Sequence, residues 1–190
     1  MDETTTSAPT PGAPTASGSP GERHDLLEAL TAHRGFLLAT TVGLTDDQAR
    51  LRPTVSALSI GGLVKHVADT ERSWVQFMTT GSMGPDDAAI DWENPDPAIV
   101  ANYMQGFELL PDETLAGVLE NYAAVAAETD ALVATIDLDT AFPLPPAPWF
   151  PQGATRSVRR TVVHIIAETA QHAGHADIIR ETIDGAKTMG

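Results

Sequence analysis

Between Ser157 and Gly185 the apolar side chains recur at a spacing that one backbone geometry satisfies. Val158, Val162, Ile165, Thr169, Ala173, Ala176, Ile179 and Ile183 lie three or four residues apart, with His172 in the same stripe. That period predicts a helix from about Ser157 to Asp184, roughly 40 Å long and apolar on one face. Ser157 can cap its start and Gly185 can stop it. A helix of this length needs partners of similar length to cover the stripe, so the segment calls for a bundle.

Three other segments supply the partners. Ser19-Pro20-Gly21-Glu22 has the form of a helix start, followed by Leu26, Leu30, His33 and Leu37, with an end expected near Val42-Gly43. Ser59 can cap a second helix running through Leu63, His66, Val67, Thr70, Trp74, Phe77 and Met78 to Gly81. Asp112 to Ile136 carries a third stripe of Leu115, Leu119, Tyr122, Ala126, Thr129, Val133 and Ile136. The interval 81–110 is long for a simple connection and contains one short helical candidate, Pro97 to Gln105. Pro143 to Gly153 cannot continue a helix. No segment alternates as a strand would. The expected architecture is an all-α four-helix bundle over residues 21–190, with up-down-up-down order as the simplest connectivity. After Met1, Asp2 and Glu3, the stretch to residue 20 is Thr, Ser, Ala, Pro and Gly without large apolar groups, and residues 1–20 are expected to form a disordered tail.

Composition removes several function classes. The formal charge of −15 and the lack of any Lys/Arg cluster argue against nucleic acid and anionic lipid as partners. With no cysteine, the protein has no disulfide and no thiolate of its own, so any sulfur chemistry needs a thiol brought by a substrate. No apolar run approaches the length of a membrane span, and Met1 to Gly21 lacks the basic start and apolar centre of a signal peptide, so a cytoplasmic location is expected. There is no GxSxG, P-loop, HExxH or Gly-rich dinucleotide turn.

The chemistry concentrates in Glu168-Thr169-Ala170-Gln171-His172-Ala173-Gly174-His175. At 100° per residue, Glu168, His172 and His175 fall within an arc of roughly 60° on one helical face. A carboxylate on that apolar face requires a cation, a hydrogen-bond partner or a metal. Glu168 and His172 have the i, i+4 spacing at which a helix presents two ligands together, and His66 is the third candidate, from the inward face of the second helix. Two imidazoles and one carboxylate would hold a divalent ion with at least one open position, suiting zinc or a non-haem ferrous ion. The structural alternative pairs Glu168 with an arginine such as Arg34 or Arg159 and leaves the histidines as core fillers. His164 reads as an edge histidine or an orienting neighbour, and His175 as an alternative ligand to His172 or a substrate contact. Asp177 and Arg180 are expected to form a surface ion pair. Trp92 and Trp149 fall in loops that could roof a pocket.

The strings LSIGGLVKHVADTERSW at 58–74 and VVHIIAETAQHAGHADIIRETIDG at 162–185 resemble the DinB-like superfamily. The closer resemblance is to its actinobacterial branch of mycothiol-dependent enzymes, including mycothiol S-transferases. It covers roughly residues 23–186. Members share a four-helix bundle whose divalent metal takes one histidine from the second helix and two ligands, spaced i, i+4, from the last. His66, Glu168 and His172 occupy those positions. Many relatives carry histidine where this chain has Glu168, which is instead similar to mycothiol-dependent maleylpyruvate isomerase. The resemblance implies a metal-dependent transferase that activates a low-molecular-weight thiol, mycothiol first, as a metal-bound thiolate for attack on a small electrophile. Zinc is the first expectation for the ion, with iron, nickel or manganese as alternatives. The competing readings are an isomerase or hydrolase on the same scaffold, and a non-catalytic bundle that binds a small molecule or forms a homodimer.

Overall fold

The computed structural model describes residues 19–84 and 94–188. The elements in chain order are α1 (Pro20–Ala39), α2 (Asp46–Arg50), α3 (Ile60–Thr80), α4 (Pro97–Gln105), α5 (Leu115–Thr135), β1 (Ala141–Pro143), β2 (Thr155–Ser157) and α6 (Val158–Asp184). The four long helices are those expected, and the polar groups at their ends explain the boundaries. The hydroxyls of Ser19, Ser59 and Ser157 accept from the amides of Glu22, Gly62 and Arg160, three residues on. Gly81 and Gly185 end α3 and α6 in the left-handed conformation, each with φ 78°. The third long helix starts later than Asp112, because Thr114 is its cap. The expected tail lies outside the described residues, apart from Ser19 and Pro20, which open α1.

Each long helix packs on two others. α1 lies against α6 and α5, and α3 lies against α5 and α6. The order around the bundle is therefore α1, α6, α3, α5, with α1 facing α3 across the diagonal. This departs from the simplest bundle, in which consecutive helices are neighbours. Two structured connections make the crossings. Residues 40–59 contain α2, which packs on α3, with the hydroxyl of Thr45 accepting from the Gln48 amide and the Gln48 side chain returning to the Thr45 amide. Residues 136–157 contain an antiparallel hairpin that pairs Ala141, Phe142 and Pro143 with Ser157, Arg156 and Thr155. Neither element has enough length to announce itself by periodicity.

The core divides into two apolar clusters. Leu63, Val64 and Val67 share one with Ala176 and Ile179. Trp74, Phe77 and Met78 share the other with Val158, Val162 and Ile165. α3 and α6 therefore run antiparallel, and a belt of buried polar groups lies between the clusters. At its centre the fully buried Glu71 carboxylate pairs with the Arg34 guanidinium across the diagonal, and Arg34 Nη1 also donates to Asp130 on α5 at 2.8 Å. Thr129 and Thr169, buried in the same belt, donate to carbonyls of their own helices. One end is tied by Arg180, which donates to the carbonyls of Thr40 and Val42 and pairs with Asp184. The expected Asp177–Arg180 pair is replaced by these contacts, while Asp177 accepts from the Thr188 amide. A guanidinium that can satisfy two helix-end carbonyls gains more there than from one exposed carboxylate. No helix among the described residues is long and apolar enough to cross a membrane.

Arg34 is the cation on which the buried Glu71 depends. Arg34→Met should lower stability by about 3–5 kcal/mol in chemical denaturation, because the carboxylate is stranded. Arg34→Met combined with Glu71→Leu should recover most of that loss. A double variant no more stable than Arg34→Met would contradict the assignment.

Candidate metal centre

α3 and α6 cross at the belt, where one turn of each carries the candidate ligands. His66 is on α3, with Glu168 and His172 one turn apart on α6. One ligand atom from each residue forms a group whose members all lie within 4.8 Å of one another. Glu168 Oε1 is 3.1 Å from His172 Nε2 and 3.5 Å from His66 Nε2. A tetrahedral ion about 2.0–2.1 Å from each donor needs donors roughly 3.3 Å apart, and the two separations fall on either side of that value. The donor chemistry, two nitrogens and one carboxylate oxygen, is that of a divalent ion with an open position.

The alternative of an arginine partner for Glu168 does not occur among the described residues. Arg34 is taken by Glu71 and Asp130, and Arg159 by Glu22 and Asp139. Glu168 therefore has only imidazoles as polar side-chain partners. Hydrogen bonding to His172, then to His66, holds its carboxyl well below the ordinary value of 4.5, against the opposing effect of burial. The three side chains are 11–25% exposed, enough to be reached from one side.

Each imidazole has a distinct setting. Phe107 stacks on the His66 ring, with centroids 4.0 Å apart and planes at 22°. That contact depends on Gly62, one turn earlier on α3: a Cβ there would stand 1.9 Å from the Phe107 carbonyl oxygen. The glycine lets the 106–108 backbone close onto α3, and the closure brings the phenyl ring to the histidine. His172 packs edge-on to His66, with ring centroids 4.9 Å apart, and its buried Nδ1 has no hydrogen-bond partner among the described residues. His175 is exposed, with its ring centroid 5.6 Å from that of His172, and is outside the convergent group. His164 is half-buried against Trp74, and burial and Arg156 lower its pKa.

Two neighbouring cavities open beside the group. One, of about 420 Å³, is lined by His66, Thr70, Ser73, Met83, Tyr103 and Gly106. The second, also of about 420 Å³, shares Ser73, Met83 and Tyr103 with it and continues to Trp74, Trp149 and His164. Trp149 thus stands over a cavity, as expected of its loop, while Trp92 lies outside the described residues. Sequence reasoning passed over Phe107, because an aromatic residue after a short helix carries no period that points to a histidine 41 positions earlier.

The fold and this convergence define a DinB-like four-helix bundle. The mycothiol S-transferase family matches residues 25–185, and the chain belongs to that family. Nothing among curated proteins matches. Solved structures show the same fold. A conserved protein of Enterococcus faecalis aligns with a TM-score of 0.57 and 18% identity over 86% of this chain and 97% of its own. YfiT from Bacillus subtilis, described as a probable metal-dependent hydrolase with an unusual four-helix bundle topology, aligns with a TM-score of 0.59 and 16% identity, over 88% of this chain and 91% of its own.

A depressed carboxyl pKa adds stability that is present above the unfolded value and lost as pH falls through the folded one. In metal-free protein, urea unfolding should show wild type more stable than Glu168→Gln near neutral pH, with the gap narrowing below about pH 5. A gap of constant size between about pH 6 and pH 3 would show that the imidazoles do not stabilise the carboxylate. Gly62→Ala should cost about 1–3 kcal/mol in the same assay by forcing residues 106–108 off α3.

Proposed function

We propose that this protein is a metal-dependent thiol S-transferase, with His66, Glu168 and His172 as the ligands of a divalent ion and mycothiol as the thiol. The observation that carries the reading is the inward carboxylate of Glu168, which has two imidazole nitrogens from two helices beside it and no lysine or arginine among the described residues. Zinc fits the donor set and the two separations from Glu168 to the imidazoles. A divalent ion at this point would lower the pKa of a thiol and keep its sulfur as thiolate at neutral pH.

The chain's residues then perform the remaining tasks. With an ion bound, Nε2 of His66 and of His172 would present lone pairs to it in the neutral tautomer that carries its proton on Nδ1, replacing their hydrogen bonds to Glu168. Phe107 restrains rotation of the His66 ring, so the donor keeps its direction. Glu168 supplies the one formal negative charge, and a 2+ ion would retain a net charge near +1 to attract an anionic sulfur. The nucleophile must come from a cosubstrate, because the chain has no cysteine. His66 borders the cavity that leads toward Trp149, so thiol and acceptor reach the site from that side. Met83, Tyr103 and Phe150 line those cavities, and their apolar surfaces suit a thiol better than hydroxide as nucleophile.

The test is elemental analysis followed by a conjugation assay with mycothiol and monobromobimane. Wild-type protein should carry close to one equivalent of a divalent transition metal, and Glu168→Ala and His172→Ala should each lose at least about tenfold in metal affinity. Conjugation should fall with metal content in folded His172→Ala. Metal below about a tenth of an equivalent after reconstitution would favour a non-catalytic bundle. Full metal with no thiol dependence of turnover would favour a hydrolase or isomerase.

A further inference from the structure

The chain has eleven lysines and arginines against twenty-six acidic residues. Cations in such a chain find carboxylates readily, and most do. Arg34, Arg50, Arg52, Arg72, Arg159 and Arg180, together with Lys65 and Lys187, each pair with one. Arg23 donates to the carbonyls of Val133 and Ile136. Arg156 and Arg160 have neither kind of partner among the described residues, and they repel each other. Arg160 lies exposed to water, whereas Arg156 is half-buried, and leaving these two neighbours unpaired in a protein of formal charge −15 calls for a physical reason.

Their position supplies it. Arg156 is the middle residue of β2, opposite Phe142, and its side chain reaches α3. Its guanidinium carbon is 4.7 Å from the centre of the Trp74 ring and 5.3 Å from that of Phe150. Both rings line the second cavity, together with Tyr103, Pro146, Trp149 and His164. Nη1 of Arg156 is buried and has no hydrogen-bond partner, while the residue as a whole remains partly exposed. Arg160, His164 and Glu168 then follow at four-residue intervals along α6, placing Arg160 about 12 Å from Glu168 along the helix axis. The two adjoining cavities therefore have His66 at one side and largely apolar walls, with Arg156 packed against the Trp74 and Phe150 rings at their edge and Arg160 exposed beyond it; neither arginine is itself a lining residue. Guanidinium groups that stack on aromatic rings and keep free N–H donors are suited to carboxylates.

We propose that Arg156, supported by Arg160, binds the anionic end of the electrophilic acceptor, so that the acceptor is a small organic carboxylate with an apolar body lying between Trp74 and Trp149. The identification of the bound molecule as the acceptor rests on the transferase reading above; the anion site itself does not. The apolar walls suit a hydrocarbon or aromatic body, and leave the sugar-bearing thiol to approach beside His66. The carboxylate at the far end would fix which atom of the acceptor faces the sulfur.

Binding of hydrocinnamate and of its uncharged amide, hydrocinnamamide, to the full chain tests this by isothermal titration, with zinc reconstituted and after chelation. The acid should bind at least about tenfold more tightly than the amide in both states, since the preference comes from the arginines rather than the metal. Arg156→Gln should abolish the preference, Arg156→Lys should retain part of it, and Arg160→Gln should reduce it about two- to threefold. Thermal melting and zinc content of each variant report whether fold and metal site are intact, and Arg156→Lys carries the comparison if Arg156→Gln does not fold. Equal binding of acid and amide, binding of neither, or a preference that survives in folded Arg156→Gln would overturn the proposal. A preference seen only with zinc and unaffected by Arg156→Gln would overturn it while leaving the metal reading intact. Failure to bind zinc alongside a persistent, Arg156-dependent preference would do the reverse.

Discussion

A carboxylate inside a helical bundle has to be neutralised, and this bundle contains two, neutralised in different ways. Glu71 on α3 is fully buried and meets Arg34, which reaches across the diagonal and also engages Asp130 on α5. Glu168 on α6 meets no guanidinium, only the imidazoles of His66 and His172. The first solution brings α1, α3 and α5 to one centre and is complete within the protein. The second brings α3 to α6 and gathers three atoms that could be shared by one ion. The difference between an internal ion pair and a ligand site is therefore a matter of which partner the opposite helix offers.

Gathering those donors depends on features remote from them in the chain. The diagonal placement of α1 and α3 requires the long connection with α2, and that of α5 and α6 requires the hairpin. Only with these crossings does α3 become the neighbour of α6, so that His66 stands against Glu168. Gly62 then allows residues 106–108 to close against α3, and Phe107 restrains the His66 ring. The hairpin also carries Arg156 back onto Trp74, so one connection both allows the helix order and sets a guanidinium against a ring that lines the cavity.

Membership of the mycothiol S-transferase family accords with the lack of cysteine in the chain. A protein that works on thiols without one of its own has to receive the sulfur from outside and activate it with something other than a neighbouring side chain. On the proposed reading, the mostly apolar cavity beside His66 and the arginines near it serve the other reactant.

Much of the fold was legible because long amphipathic helices write their period into the chain. Val158 through Ile183 can be buried only on one helical face, and Ser157 and Gly185 bound it whatever it packs against. The proximity of Glu168 and His172 was legible for the same reason, since i, i+4 is local geometry. His66 was a candidate because it lies on the inward face of the second helix, and the family resemblance supported the set of three; that the two faces meet could not follow from periodicity, because an inward face does not say which helix it faces. The helix order, the Arg34–Glu71 pair, the stacking of Phe107 and the isolation of Arg156 and Arg160 from any carboxylate all depend on contacts between distant segments. Local sequence determined the helices and their polar ends, because hydrogen bonds and apolar periodicity act within a few residues. Only the tertiary structure decided which charges were satisfied and which were left available, because that depends on the partners packing brings within reach.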